Sequence, residues 1–79
     1  MSKYNLVTLA IESNEDTYQR YQVVAKASPA DVLLDRLNHA TGVEVVTVIY
    51  SHPITEDEYA DLVKFINEEE PEGLDHFEL

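Results

Sequence analysis

Ser28-Pro29-Ala30-Asp31-Val32-Leu33-Leu34-Asp35-Arg36-Leu37 leads through Asn38-His39-Ala40-Thr41-Gly42 into Val43-Glu44-Val45-Val46-Thr47-Val48-Ile49-Tyr50, and this stretch decides the fold. Its first part reads as a helix. Ser28 is a good N-cap, Pro29 takes the first helical position, where a missing N–H is harmless, and Asp31 gives a shortened capping box. Ala30, Leu33, Leu34 and Leu37 fall on one face at helical spacing, and Gly42 ends the helix as a left-handed cap. The second part is β-branched almost throughout and apolar on both faces. That pattern belongs in the middle of a sheet or at an interface.

Two alternating runs precede the helix. Residues 4–12 put Val7, Leu9 and Ile11 on one face at period two and read as a strand. Residues 13–17 are a polar turn. Residues 18–27 give a second strand with Tyr21, Val23 and Ala25 facing one way and Arg20, Gln22 and Lys26 the other, so the pair reads as an antiparallel hairpin. The helix between the second and third strands is then a crossover. If right-handed, it lets the third strand lie beside the first, in the order 2-1-3.

After the third strand, Ser51-His52-Pro53-Ile54 reads as a loop. Thr55-Glu56-Asp57-Glu58 is a full capping box, and its three carboxylates suit the positive end of a helix dipole. Tyr59, Leu62, Val63 and Ile66 form the buried stripe of this second helix, which runs through Glu68-Glu69-Glu70 to Pro71. Pro71-Glu72-Gly73 is a turn. Residues 74–79 read either as a short fourth strand or as a tail packing Phe77 and Leu79 on the body. The expectation is one α+β domain over residues 1–79, with its folded core in residues 1–70. It is a two-layer sandwich: a small, mainly antiparallel ββαβα sheet with both helices on one face.

The charge is distributed unevenly. From Glu56 onward there are ten acids and one base, Lys64, a net of −9, whereas the first 55 residues hold six acids and four bases, a net of −2. A field of that sign repels nucleic acid and phospholipid and attracts basic protein surfaces. On the second helix Asp57, Asp61 and Glu68 lie opposite the buried stripe with Lys64 among them, and Glu58 and Glu69 flank that face. Asp57 and Asp61 are a like-charge pair one turn apart, which costs helix stability, and Lys64–Glu68 runs in the less favourable direction. Four residues of helix rise about 6 Å, so successive carboxylates are spaced roughly like phosphates along a nucleic-acid strand. Phe65, beside Asp61 and Glu69, is either an interface anchor or a residue packing on Leu74 or Phe77. The bland reading of the acids is a solvated face that keeps a small protein in solution.

Other chemistry finds little support. With 79 residues and no cysteine, the chain sits near the lower limit for an unstapled core and has no disulfide or thiolate chemistry. Its start lacks the charged-then-apolar pattern of a leader and no apolar run approaches membrane-span length, so the expectation is a cytoplasmic protein. His39, His52 and His76 are scattered without metal-ligand spacing, and His39 suits a helix C-terminus. Glu68, Glu70, Glu72 and Gly73 match part of a calcium loop, but Leu79 stands where a bidentate Glu is required. Ser13, Ser28 and Ser51 have no glycine elbow, and two glycines cannot build a phosphate cradle. Tyr18 and Tyr21 interleave with Arg20 and Gln22 as on an RNA-binding sheet, but a net charge of −11 opposes nucleic acid. The expectation is therefore no catalytic residues, no cofactor and no metal.

In size, acidity and α+β build, the whole chain resembles the small phage-encoded inhibitors of bacterial defence, such as anti-CRISPR proteins and DNA-mimic anti-restriction proteins. The resemblance implies an inhibitor that works in the host cytoplasm by occupying a lysine- and arginine-lined nucleic-acid site. Asp57, Glu58, Asp61, Glu68, Glu69 and Glu70 would meet the bases, with Phe65, Tyr59 or Phe77 as anchor. Two other readings stand beside it. One is a small adaptor or regulatory subunit that binds a protein partner, or itself as a homodimer, through the sheet or the third strand. The other is an accessory domain for a metal or small molecule.

Overall fold

The chain's two alternating runs form the expected hairpin: β1 (Asn5–Glu12) and β2 (Tyr18–Lys26) are antiparallel, with Val7 opposite Val23 and Leu9 opposite Tyr21. A computed structural model describes residues 3–13, 18–40 and 45–79. Residues 14–17 of the polar turn, the Gly42 cap, and Val43 and Glu44 of the expected third strand lie outside these. β2 is followed by α1 (Pro29–His39), β3 (Val45–Pro53), α2 (Glu56–Glu69) and β4 (Leu74–Glu78). The sheet order is β3-β1-β2-β4, so the 2-1-3 arrangement holds and residues 74–78 are a true strand. β1 is antiparallel to both neighbours, whereas β4 joins β2 in parallel, making the four-stranded sheet mixed. The fold is α+β.

β3 lies at the edge of the sheet, not in its middle. It also extends through Ser51 and His52, which the sequence reading leaves in a loop: they pair with Val7 and Leu6 of β1. Pro53 is tolerated because it closes an edge strand. A bulge at Ile49 lets Tyr50 oppose Thr8 while Val48 opposes Leu9.

The helices divide the sheet between them. Val7, Leu9, Val23, Ala25 and Val46 pack with Val32 of α1, whereas Val24 packs with Ile54 and with Ile66 of α2. Val23 and Val24 are consecutive in β2, so their side chains point to opposite faces. Each helix thus makes a two-layer unit with the part of the sheet beneath it, where the sequence reading sets both on one face. Chirality explains the difference. The β2–α1–β3 crossover steps across β1 in one direction, and β3–α2–β4 returns past β1 and β2 in the other. Two right-handed crossovers of opposite direction need their helices on opposite faces.

α1 is also rotated from its expected stripe. Val32 is fully buried and Leu33 half-buried, but Ala30, Leu34 and Leu37 are exposed. The sheet-facing position that a leucine would fill is taken by Arg36. Its guanidinium lies 5.7 Å over the Tyr21 ring, with Nη2 3.1 Å from Asp75 Oδ2 of β4. The expected stripe of α2 holds, with Ile66 buried and Tyr59, Leu62 and Val63 half-buried.

Candidate acidic interface

The acidic surface is set by how α2 is anchored. Thr55 Oγ1 accepts the Glu58 N–H at 3.1 Å, and the Thr55 N–H donates to Glu58 Oε1 at 3.0 Å, closing the capping box. The Thr55 backbone N–H, then the Thr55 hydroxyl, hold the Glu58 carboxyl below its ordinary value of 4.5. Ile66 fixes the rotation from beneath, and Tyr59 stacks at a tilt on Tyr4 with ring centres 5.0 Å apart. Burial pushes the Tyr59 hydroxyl pKa up.

With that stripe buried, Asp57, Glu58, Asp61, Phe65, Glu68, Glu69 and Glu70 are all exposed. At 100° per residue, Asp57, Asp61 and Glu68 face away from the sheet together, and Glu58, Phe65 and Glu69 share one flank. Glu58 is tied into the cap. Asp57, Asp61, Glu68 and Glu69 form no ion pair among the described residues, and two of the chain's cations are engaged by other acids. Lys26 Nζ lies 3.6 Å from Glu78, and Arg36 is held by Asp35 and Asp75. Lys64 pairs with no carboxylate among the described residues either, so the Lys64–Glu68 bridge does not form. Phe65 is 40% exposed and belongs to neither core cluster, and Leu74 and Phe77 pack into different clusters without it.

The two flanks of α2 differ. One borders a groove of about 560 Å³ lined by Tyr4, Lys26, Tyr59, Val63, Lys64 and Glu78. Glu78 belongs to β4, so this flank faces the β4 edge and the Phe65 flank faces β1 and β3. There α2 leaves the sheet uncovered, with Tyr50 exposed on β3 and its ring 5.5 Å from His52. No local pattern signals this open half-face, because it depends on which strands α2 covers.

Glu70 stands in the left-handed region at φ 46°, ψ 54°, as the C-cap of α2. No basic residue occupies that last turn. Among the described residues, no three His, Asp or Glu side chains gather into a group that could hold a metal ion. No helix among them is long and apolar enough to cross a membrane. No family model, curated protein or solved structure matches this chain.

Proposed function

We propose that this protein is a non-enzymatic inhibitor whose α2 surface covers a basic nucleic-acid-binding site on a protein target, in the manner of anti-CRISPR or anti-restriction proteins. The observation that carries this reading is the unpaired state of Asp57, Asp61, Glu68 and Glu69 while Lys26 and Arg36 are engaged by other acids. A carboxylate that serves only solubility loses nothing by pairing with a nearby lysine. A carboxylate that must meet a partner's arginine or lysine is better left free. The placement of Glu68, Glu69 and Glu70 supports the same reading, because acids at the negative end of a helix dipole weaken the helix. Phe65 supplies an apolar anchor beside those acids, and desolvated aromatic anchors carry much of the affinity at such interfaces.

The test is a lysate capture with the full chain, eluted along a salt gradient. The reading requires a nucleic-acid-handling protein that elutes with salt and is displaced by added DNA or RNA. It also requires that the triple variant Asp57→Lys, Asp61→Lys, Glu68→Lys lose that protein while its circular dichroism is unchanged. A partner retained by the triple variant, or one indifferent to nucleic acid, overturns it.

A further inference from the structure

The two edges of the sheet are unlike each other. β4 has five residues and carries Asp75 and Glu78, the usual protection of an edge against pairing. β3 has nine residues, VVTVIYSHP, with no acidic or basic group apart from His52. Its outer backbone edge has no strand beside it among the described residues. Val45, Ile49 and Tyr50 are 58%, 45% and 60% exposed along it. α1 adds to this surface. Arg36 faces the sheet and reaches Asp75 of β4, so Leu37, about 100° further round the helix, lies on the flank toward β3, with Leu34 beside it on the outer side. Those leucines are 59% and 45% exposed. A chain of net charge −11 thus presents an apolar patch that wraps the β3 edge, with Leu34 and Leu37 on the α1 face of the sheet and Val45 and Tyr50 on the opposite face.

We infer that a second copy of this chain occupies this patch, β3 pairing antiparallel with its twin about a two-fold axis and the two α1 flanks meeting over the junction. The surface is uncharged and so complementary to itself, which an isologous contact requires. Electrostatics selects the edge. Two acidic chains repel, so self-association needs a contact that keeps their acidic halves apart. α2 lies over β2 and β4, at the far side of each sheet. Pairing through β3 leaves about six strand spacings between the two α2 helices, roughly 30 Å at ~4.8 Å each. The Debye length is about 8 Å at physiological salt, so the repulsion is screened. Five half-exposed side chains supply on the order of 500 Å² per chain, and the strand backbone brings this toward the ~800 Å² of a standard interface. The bulge at Ile49 leaves residues 45–48 regular for pairing. The inference does not depend on the proposed inhibitory role.

The test is sedimentation equilibrium of the full chain from micromolar to several hundred micromolar, at low and high salt. The expected result is a species of twice the 9.0 kDa chain mass that persists or strengthens as salt rises. Leu34→Glu with Leu37→Glu is expected to give monomer with an unchanged circular dichroism spectrum, since both side chains already face solvent. If that variant misfolds, Tyr50→Lys on the exposed face of β3 makes the same test. Asp57→Lys is expected to leave the dimer intact. A wild type that stays monomeric throughout overturns the inference. So does a dimer that survives both patch variants, or one that Asp57→Lys abolishes. So does a β3 edge found paired with a different protein's strand.

Discussion

Val23 and Val24 are neighbours in β2, both fully buried, and each sits in a different core: Val23 beneath α1 and Val24 beneath α2. In a sheet with one open face, one of two such neighbours would be wet. Here both faces of β2 are dry over residues 23–25, so each valine should matter. Val23→Ala and Val24→Ala each remove two carbons, and at about 0.8 kcal/mol per buried methylene plus a cavity term each should cost about 2 kcal/mol in urea unfolding. Val24→Thr discriminates further. It keeps the shape but buries a hydroxyl, and should cost about 1–2 kcal/mol. A Val24→Thr protein as stable as the wild type would mean that α2 does not cover this face.

Arg36 ties α1 to β4 from the other side. Its Nη2 bonds Asp75 Oδ2 at 3.1 Å and its stem packs by Tyr21, but its Nε is buried without a hydrogen-bond partner, 3.9 Å from Asp35. Asp75 is more than half exposed, so the ion pair alone is weak. An Arg36→Ala/Asp75→Ala double-mutant cycle should give a coupling of about 0.5 kcal/mol that fades with salt. Arg36→Ala should cost about 2 kcal/mol, mostly through lost packing, and Arg36→Met should recover most of it. If methionine fails to rescue, the charge and not the stem holds the helix.

These two sites mark what the sequence could and could not reveal. Periodicity alone located β1, β2, α1, α2 and the start of β3, because each has a buried face that repeats with the period of its backbone. The rotation of α1 was hidden, because the three leucines, two of them exposed, outweigh Val32 and Arg36 in any hydrophobic count. Arg36 is buried by partners 15 and 39 positions away, Tyr21 and Asp75, and no local pattern announces them. The face of α2 followed from the parallel pairing of β4, a five-residue strand whose sequence also suits a tail. The acidic surface was legible in full as composition and helix phase. What the sequence did not contain was which acids are free: Glu58 is used by the cap, while Asp57, Asp61, Glu68 and Glu69 are unpaired within the described residues.

The capping box gives a pH signature. The folded-state pKa of Glu58 lies below its ordinary value of 4.5, chiefly through the Thr55 N–H. A depressed carboxylate contributes stability that is present above the unfolded pKa and lost as pH falls through the folded one. The other acids work against this in the same range, because their neutralisation relieves repulsion in a chain of net charge −11. The readout is therefore a difference. The melting temperature of the wild type should exceed that of Glu58→Gln above pH 4.5, and the gap should close as pH drops further. Thr55→Ala should cost about 1 kcal/mol at neutral pH. A gap independent of pH would mean that Glu58 acts through packing and not through its charge.

Glu70 is the residue whose local cost is plainest. At φ 46° it occupies a conformation that a side chain with a Cβ adopts reluctantly and that glycine takes freely at a helix C-cap. Its carboxylate also faces the negative end of the α2 dipole. Glu70→Gly should therefore stabilise the fold by about 1 kcal/mol, raising Tm by roughly 5 °C for a domain of this size. A residue that weakens the fold at an exposed position needs another role, and contact with a basic partner supplies one. The same Glu70→Gly protein should then elute from its captured partner at lower salt than the wild type. Greater stability with unchanged elution would remove Glu70 from the interface and confine it to Asp57, Asp61, Phe65, Glu68 and Glu69.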